Sequence, residues 1–582
     1  MKNYKKVYAA FILAGGLILH GCNGIFDDLA INPNQPSMGA YFTSPSAVND
    51  AVMTMYGYMS TQRCLGASGS KTTIIRSDEG SSNSDYGKPG MFGADLNASY
   101  YTIEQPYTLM YTTASQASYI IETAPSVDFS GNEELRNAYM GEAYFWRAFA
   151  HYYLLINFRN ISPIRQMPRN GDDYVRPLEK PAAVWDFIQE DLAHAKELLP
   201  VKGYWDSKNA GRVTKASAAA LLGKAYLYRS GIEQYYGEDK TTFYSEAAKE
   251  FGDVIDGKYG TYDLTKNYAD NFDVAHENNE ESILEFQFLG DVDNAGFNPG
   301  LATSGLAFDS RGLMLPGAGV GYEGVVHNWL YNAFVNSVDK DGYTDIRMFS
   351  TMIFNDLDAS IHLRNDAGGN PVRLEGPGGY KWEELYPAKN GKEGFATVSN
   401  PLAHSFKAGI RKGIDCSMPT QTEADGTPKL VGVGAGVKEY VYNQPRAHGV
   451  NWRYIRYADV LMMYAESVVS GGIPASNMTP LQAVNKVRGR ANMSELPSVT
   501  MADIQNERIL EFALEGHRFY DLLRWGKLAS RFTELQESDP NFKKFISADD
   551  FKGFVTNKHE WLPIPINEVN SNPYITENNP GY

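Results

Sequence analysis

Cysteine is scarce in this sequence, and its scarcity excludes a disulfide framework. Only Cys22, Cys64 and Cys416 occur among 582 residues. Cys22 belongs to an N-terminal processing signal, described below, so at most one disulfide can form, between the other two. The protein must therefore be held together by its core. With 43% hydrophobic residues, the chain is long enough for one large core or for two domains.

The sequence also lacks the short motifs of common hydrolases and metalloenzymes. Its 10 histidines are scattered without an H-E-x-x-H motif, and no G-x-S-x-G occurs. Residues 319–324 match G-x-G-x-x-G, but Pro316 interrupts the preceding segment and no βαβ unit surrounds it, which favours a flexible loop. Asp339 and Asp341 lack the other ligands of a calcium loop and are predicted to form a turn. No cofactor is predicted, and a structural calcium ion is not indicated.

Positive charge is in deficit, with 53 Lys and Arg against 69 Asp and Glu and a net charge of −16. This balance disfavours broad contact with phosphate backbones or anionic lipid, so nucleic acid is not an expected partner. What the chain has instead is aromatic and loop-forming side chains, including 38 Tyr, 8 Trp and 54 Gly. Such side chains serve a core, a recognition surface or a sugar-stacking platform.

The N-terminus predicts export. Lys2, Lys5 and Lys6 precede an apolar run over residues 7–19, which at ~1.5 Å per residue is too short to span a bilayer. Residues 1–21 are therefore interpreted as a signal peptide. The sequence Leu-His-Gly-Cys that ends at Cys22 resembles a bacterial lipobox, although His20 replaces the usual small residue. The resemblance implies lipidation of Cys22, with residues 22–40 as anchor and tether and an ordinary secretory signal as the alternative.

Helical periodicity occurs in pairs of segments. Thr214 is a plausible N-cap for an alanine- and leucine-rich helix over residues 215–229 that is expected to stop at Gly231. Its expected partner covers residues 243–255. Two further stripes, over 145–156 and 457–468, carry aromatic and aliphatic residues at helical spacing. Small residues among aromatics let helices approach closely, which indicates a repeat-like scaffold of stacked helix pairs.

Two stretches have a different character. Residues 72–107 and 258–451 are rich in Gly, Asn, Asp and aromatics, with short strand-like segments such as 282–289 and a short helical stripe over 329–334. Long irregular segments in a compact protein are usually functional loops, and the aromatic content argues against disorder. We expect the binding site in these loops.

A charged stretch near the C-terminus, EGHRFYDLLRWGK from Glu515, poses the choice between catalysis and scaffold. Taken with the preceding residues 507–514 as one helix, it places Glu515, Arg518, Asp521 and Arg524 three residues apart along one edge. A hydrolytic acid pair needs one carboxyl kept protonated. Here each carboxylate has an arginine within reach, which predicts lowered pKa values and a structural role.

These residues also carry a family resemblance. The chain resembles the SusD/RagB family of surface nutrient-binding lipoproteins of Bacteroidetes. The family pattern of ER, EF, EG, R and D-L-x-R-W-G is matched by Glu507, Arg508, Glu511, Phe512, Glu515, Gly516, Arg518, Asp521, Leu522, Arg524, Trp525 and Gly526. Similar matches run along most of the chain, in the family's order: WRAFAHYYLL, GRVTKASAAALLGKAYLY, DIR, IRYADVLMMYAE, KVRGRA and the terminal WLPIPINEVNSNPYITENNPGY.

The resemblance implies a mainly α fold. Tetratricopeptide-like helix pairs (about 41–70, 107–257 and 452–532) would form a superhelical scaffold packed against loops (about 72–107 and 258–451) in one domain, 41–582. It also implies a non-catalytic, lipid-anchored protein on the outer membrane at the cell surface. Such a protein captures oligosaccharides and delivers them to a SusC-like TonB-dependent transporter, on which it acts as a lid.

The same resemblance places the ligand site in the loops, and the chemistry of sugars selects residue types. Tyr and Trp stack on pyranose faces, while Asp, Asn and Arg engage vicinal hydroxyls. Tyr107 stands where many family members have tryptophan. The predicted ligand-binding residues are Arg76, Asp78, Tyr86, Asn97, Tyr101, Tyr107, Tyr322 and Trp329.

Three alternatives stay open at this point. The same architecture suits capture of peptides, as in the RagB branch that the resemblance includes. A secreted glycoside hydrolase would use two of the 69 acidic residues and release reducing sugar. A purely structural repeat scaffold would bind a transporter barrel and no sugar.

Overall fold

A computed structural model describes residues 42–61, 63–66, 71–82, 96–288, 324–376, 379, 381–398, 403–413, 430–433, 437–440, 450–539 and 554–582. Cys22, Tyr86, Tyr322 and Cys416 lie outside these residues. The helices are α1 (Pro45–Met59), α2 (Tyr101–Thr123), α3 (Glu133–Phe158), α4 (Pro181–Leu198), α5 (Lys215–Tyr236), α6 (Tyr244–Ile255), α7 (Asn328–Val335), α8 (Met348–Thr351), α9 (Trp382–Leu385), α10 (Tyr457–Val469), α11 (Pro480–Arg490), α12 (Met501–Glu511), α13 (Arg518–Arg524), α14 (Leu528–Ser538) and α15 (Ile566–Ser571). Within the described residues, none of the helices has the length and apolar character needed to cross a membrane.

The helices form a stack in which each packs on its neighbour in sequence. The order runs from α2 through α6, and α10 then packs against α6 although about 200 residues separate the two in the chain. The predicted mainly α, repeat-like scaffold is confirmed. The stripes predicted over 145–156, 215–229 and 457–468 fall within α3, α5 and α10, and the short stripe over 329–334 falls within α7. The stripe over 243–255 corresponds to α6, which begins one residue later, at Tyr244.

Small side chains set the close approach of helices in this stack. Ala216 and Ala218–Ala220 in α5 are fully buried, and Gly223 leaves room for Phe251 of α6, whose ring lies 2.8 Å from where a Cβ would stand. Thr214 is the N-cap of α5, as predicted, and its backbone N–H donates to the Ser217 hydroxyl at 3.1 Å. The core is built where flat aromatic rings meet these glycine and alanine surfaces.

The predicted end of α5 at Gly231 is wrong, because the helix continues to Tyr236. Gly231 lies inside the helix, where a Cβ would stand 2.5 Å from the carbonyl oxygen of Arg524. The absence of a side chain at Gly231 therefore lets the end of α13 pack against α5. A glycine required for packing cannot be distinguished by sequence pattern from one that ends a helix.

The described strands are short, and most of them lie in the irregular half. They are β1 (Gly80–Ser82), β2 (Ser282–Phe286), β3 (Gly324–Val326), β4 (Met352–Phe354), β5 (Ala408–Ile410), β6 (Leu430–Val433), β7 (Val437–Tyr440) and β8 (Trp452–Arg456). The order β1-β3-β5-β4 forms one antiparallel sheet. In it Ser82 pairs with Gly324, so the two stretches expected to carry the binding site meet.

The large insertion begins and ends at one place on the scaffold. Antiparallel β2 and β8 bring Phe286 opposite Trp452, which joins the start and end of residues 287–451. Phe286 also packs against Trp146 and Phe149 of α3. The insertion is therefore anchored on the buried aromatic core of the helical stack.

The predicted single helix over residues 507–526 is wrong. The chain is helical in α12 and α13, but the link between them holds Leu514 at φ 61° and Gly516 at φ 86°. A Cβ on Gly516 would lie 2.9 Å from the Thr73 hydroxyl, so the turn is fitted closely against the segment before β1. This break reorients Glu515 and Arg518, with consequences for the charged groups.

Gly231→Ala and Gly57→Ala provide a matched test of the close contact between α5 and α13. Both glycines are helical, but a Cβ at Gly57 would meet nothing within 4 Å. We expect Gly57→Ala to raise the free energy of unfolding by about 0.5–1 kcal/mol, through the entropy of the unfolded chain. Gly231→Ala should lower it by about 1–3 kcal/mol because the helices must separate. Urea unfolding measures both, and a Gly231→Ala protein at least as stable as the parent would contradict the packing.

Candidate ligand-binding site

A buried network of ion pairs centres on Glu511 at the end of α12. Its carboxylate receives Arg456 at 2.6 Å, Arg347 at 3.0 Å and Arg490. Burial alone would raise the pKa of Glu511, but the three arginine charges outweigh it and hold the pKa well below its usual range. These arginines come from β8, from the segment before α8 and from α11, so one carboxylate ties the scaffold to the insertion.

Glu515 extends this network in a direction the sequence did not predict. Instead of pairing with Arg518, it accepts from Arg456 at 2.9 Å and from Lys412 at 2.8 Å. Lys412 directly follows the β5 region of the insertion, and its ammonium also donates to the Tyr268 hydroxyl at 2.6 Å. The positive φ values at Leu514 and Gly516 cause the difference, since they turn Glu515 away from α13.

A second cluster joins α13 to the helical stack. Arg508 bridges Asp459 of α10 and Asp521 of α13, each at 2.8 Å, while Arg524 pairs with Asp521 and with Glu466. The predicted pairing of Asp521 with Arg524 is thus confirmed. The predicted lowering of its pKa is wrong, because burial raises the pKa of Asp521 despite its arginine partners. All these groups are buried, and their ion pairs hold α10, α12 and α13 together.

Asp78, a predicted ligand residue, has protein partners on both oxygens. It accepts from Arg518 at 2.9 and 3.0 Å and from Arg531 at 2.7 Å, and its side chain is fully buried. Burial opposes its ionisation, but the two guanidinium groups outweigh it and lower the pKa of Asp78. Asp78 therefore locks the segment before β1 onto α13 and α14.

Arg76 is likewise enclosed. Its guanidinium lies 4.0 Å from the centre of the Phe519 ring and donates to the carbonyl oxygens of His559 and Glu560 at 3.1 and 2.9 Å. With 1% exposure, its side chain presents nothing at the surface. From the sequence, Arg76 and Asp78 are polar residues in a loop-rich stretch. This pattern does not distinguish a residue that holds two segments of the protein together from one that contacts a ligand.

Trp329 at the start of α7 lies beside Asp78, from which 251 positions separate it in the chain. Its indole N–H donates to the Asp78 carbonyl oxygen, and the Arg531 guanidinium lies 4.2 Å from the centre of the ring. The ring is partly buried. Trp329 is thus fixed in place by a hydrogen bond and a cation–π contact, as a stacking platform requires.

Glu79 and His327 lie directly behind this tryptophan. His327 bridges the Ser81 hydroxyl at 2.6 Å and the Asp78 carbonyl oxygen at 2.8 Å. Glu79 accepts from the Leu514 backbone N–H at 2.9 Å, and burial raises its pKa to about 8. Sequence reasoning missed Glu79, because its raised pKa comes from enclosure by segments that are distant in the chain.

The remaining described candidates lie at the start of α2. Asn97 and Tyr101 are exposed, the latter by 40%, and Asn97 accepts from the Ser99 backbone N–H. Tyr107 is buried against Phe158 and Tyr111. It borders a cavity of about 300 Å³ that α2 shares with α15. The structure thus joins Asp78 with Trp329, and places Asn97, Tyr101 and Tyr107 around the first turns of α2.

One group of described residues has metal-ligating types. Donor atoms of Asp270, Asp273 and His276 lie within 4.8 Å of one another in a surface turn. His276 Nδ1 lies 2.8 Å from Asp273, and that carboxylate raises the pKa of the imidazole. The predicted turn at Asp339 also forms, with its carboxylate accepting from the N–H groups of Asp341 and Tyr343.

The fold and this surface define a helical-repeat scaffold that carries an aromatic and polar face in a long insertion. The SusD family model matches residues 422–582, and a family model described as starch-binding associating with outer membrane matches residues 32–227. A SusD-like protein of Bacteroides ovatus is 24% identical over 90% of this chain and 83% of its own length. This chain belongs to the SusD/RagB family.

Solved structures share the fold. A SusD superfamily protein of Bacteroides vulgatus matches with a TM-score of 0.66 and 22% identity, covering 93% of this chain and all of the other. Surface glycan-binding protein A of Bacteroides thetaiotaomicron, solved in complex with laminarihexaose, matches with a TM-score of 0.66 and 19% identity. That match covers 92% of this chain and 100% of the other.

Glu511→Gln tests whether the buried network is structural. Removing one charge leaves three buried arginines underneutralised, so we expect the free energy of unfolding to fall by about 3–5 kcal/mol. Glu133→Gln, in an exposed pair with Arg136, serves as the control and should cost less than about 1 kcal/mol. Equal denaturant midpoints for the two variants would contradict the structural role.

Glu79→Gln tests the protonated buried carboxyl. Glu79 in the unfolded chain ionises near pH ~4.3, whereas in the folded protein its pKa is about 8. Its stabilising contribution is therefore complete below the unfolded pKa and is lost as pH rises through 8. Glutamine does not titrate, so the stability of Glu79→Gln relative to the parent should rise by up to about 1.4 kcal/mol per pH unit between pH 5 and 8. A stability difference that does not change with pH would contradict the assignment.

Proposed function

We propose that this protein is a cell-surface glycan-binding lipoprotein that captures oligosaccharides and passes them to a SusC-like TonB-dependent transporter. Its membership of the SusD/RagB family supports the proposal. So does the similarity to the structures of a laminarin-binding SusD-like protein and of a surface glycan-binding protein in complex with laminarihexaose. The lipobox-like N-terminus and the family description, associating with outer membrane, support the lipid anchor on Cys22 and the surface location.

The observation that carries the proposal is the fixed, partly exposed indole of Trp329. The loop segments on which sugar-binding residues were predicted converge at this ring, where Asp78, Arg518 and Arg531 hold it from behind. A pyranose stacks its C–H face on such an indole, and rigidity reduces the entropy lost on binding. We assign direct contact to Trp329, Tyr101 and Asn97, and a supporting role to Arg76, Asp78 and Tyr107. Tyr86 and Tyr322 lie outside the described residues and stay predicted ligand-binding residues.

The proposed role is non-catalytic. Glycoside hydrolysis needs two accessible carboxyl groups, one of them protonated. Glu511, Glu515 and Asp521 are enclosed with arginine or lysine partners, and Glu79, the protonated candidate, is 1% exposed. The burial of these acids supports capture without cleavage.

Delivery to a transporter fits a protein that closes on its partner as a lid. Such a motion requires contacts to the barrel that differ between the open and closed states. A scaffold braced by buried ion pairs can move as one body, while a lipid on Cys22 keeps it near the membrane.

Affinity electrophoresis in laminarin tests the binding residues. We expect Trp329→Ala and Tyr101→Ala each to weaken retention by about fivefold, the scale of one lost stacking contact. Trp329→Phe, which keeps an aromatic face without the indole N–H, should retain most of the binding. Tyr235→Ala removes an exposed tyrosine from α5 and is the control.

Retention of both alanine variants at the parent level would overturn the assignment of Trp329 and Tyr101. Release of reducing sugar by the parent protein would overturn the non-catalytic role. Titration calorimetry with mixed oligosaccharides and mixed oligopeptides decides between glycan and peptide capture, and heat from peptides alone would replace the proposal with a RagB-like function.

A further inference from the structure

A second cleft lies near β4, which forms the edge of the four-stranded sheet opposite β1. It has a volume of about 780 Å³, within the range of roughly 300–1,000 Å³ typical of small-molecule sites. Its lining comes from the segments that flank β4 and β5, two strands of the insertion. Of the predicted ligand-binding residues, the six that the structure describes do not line this cleft.

The charged lining of this cleft is mainly cationic, which is unusual in a protein of net charge −16. Four of its lining residues are Arg364, Arg373, Lys381 and Arg411, against the carboxylates of Asp366 and Glu375. The carboxylates of Asp339 and Asp356, which pair with two of the arginines, are fully buried. Guanidinium groups therefore stand between these buried acids and the cleft.

The two acids in the lining are not strong competitors for a ligand. Asp366 accepts the backbone N–H groups of Gly368 and Asn370, both at 2.8 Å, within its own turn. Glu375 pairs with Lys381 at 3.0 Å, but 64% of its side chain is exposed. An exposed pair of this kind is worth little, so Lys381 can change partner at low cost.

Arg411 is the least neutralised cation of the group. It follows β5 and is half-buried, and one of its terminal nitrogens donates to the Phe349 carbonyl oxygen. Among the described residues no carboxylate pairs with it. In contrast, Lys381 has one carboxylate partner, and Arg364 and Arg373 have two each. Its planar fork has the geometry for two parallel hydrogen bonds to a carboxylate or a sulfate.

Apolar side chains complete the cleft. Ile346 and Val372 are exposed by 39% and 50%, and the half-buried Phe349 ring lies beside the carbonyl group that holds Arg411. A surface with an aromatic ring, two aliphatic groups and a guanidinium that lacks a carboxylate partner among the described residues fits a sugar ring that carries an acidic group. A neutral sugar would offer Arg411 only uncharged hydroxyl acceptors, which give weaker hydrogen bonds than a carboxylate or a sulfate.

We propose that this cleft is a second saccharide subsite, selective for anionic sugar units that carry a uronate carboxylate or a sulfate ester. Arg411 is its main contact to the anionic group, and Lys381 makes a second contact. The inference rests on the proposed function and narrows its substrate class. The protein would then have two distinct sites: a stacking site for neutral sugars at Trp329 and a site that binds acidic sugars beside β4 and β5.

Matched pairs of probes test the charge requirement. Hexameric oligogalacturonate and its methyl ester differ only in the carboxylate, and dextran sulfate and dextran differ only in the sulfate. Titration calorimetry with the full soluble chain should give binding at least about tenfold tighter for each charged probe than for its neutral partner. This preference should weaken as salt is raised. A preference for only one of the two charged probes identifies the anionic group.

Variants test the location. Arg411→Gln and Lys381→Gln should each weaken binding of the charged probe, by about tenfold and about threefold, and leave neutral probes unaffected. Arg136→Gln in α3 and Lys180→Gln at the N-cap of α4 make the same charge changes at surface ion pairs of the scaffold and are the controls. Lys381→Gln also guards against a folding defect in Arg411→Gln, since the Lys381 side chain pairs only with exposed Glu375 among the described residues.

Equal affinities within both probe pairs would overturn the subsite, as would Arg411→Gln and Lys381→Gln behaving like the controls. If laminarin is still retained through Trp329 in that case, only the cleft assignment fails. Absence of binding to every neutral and charged glycan would overturn the proposed function as well.

Discussion

The arrangement of this protein depends on buried charge that is neutralised inside the fold. Glu511 collects three arginines, and each arrives from a different part of the chain. Burying such a group costs several kcal/mol per ion unless the geometry is close to ideal, so the network forms only when the three segments are in register. The network thus specifies how the insertion sits on the helical stack, beyond what apolar packing alone would fix.

The same constraint explains why the chain breaks between α12 and α13. A continuous helix would direct Glu515 and Arg518 at each other along one edge. The left-handed turn at Leu514 and Gly516 instead sends Glu515 to Arg456 and Lys412, and Arg518 to Asp78. The turn between α12 and α13 thereby fixes two loop segments, one at Lys412 and one at Asp78. The segment at Asp78 in turn accepts the hydrogen bond from the Trp329 indole.

Local patterns predicted the parts of this structure that depend on local physics. Periodicity located the main helices, and the charge composition of residues 507–526 indicated a structural role. The partners could not be predicted, because many of them lie between 49 and 440 positions away in the chain. The turn that reorients Glu515 is also only weakly indicated by the Glu-Gly dipeptide. Arg76 and Asp78 illustrate the limit at the site: a polar residue in a loop-rich stretch looks the same whether it faces a ligand or a neighbouring segment. Trp329 was identified by type, while its support by Asp78 and Arg531 is visible only in three dimensions.

For function, a braced frame has a simple consequence. Glu511, Glu515 and Asp521 are buried in ion pairs, whereas Trp329 and Arg411 are held in place with part of their surface exposed. Side chains that are already ordered lose little entropy when a ligand binds. We therefore expect that a bound ligand does not contact the buried carboxylates of Glu511, Glu515 and Asp521. A crystal structure of the protein with laminarihexaose tests it most directly. The expected result is an intact hexasaccharide against the loop half, with Glu511, Glu515 and Asp521 in their present ion pairs; sugar in contact with those carboxylates, or a shortened product, would contradict the account.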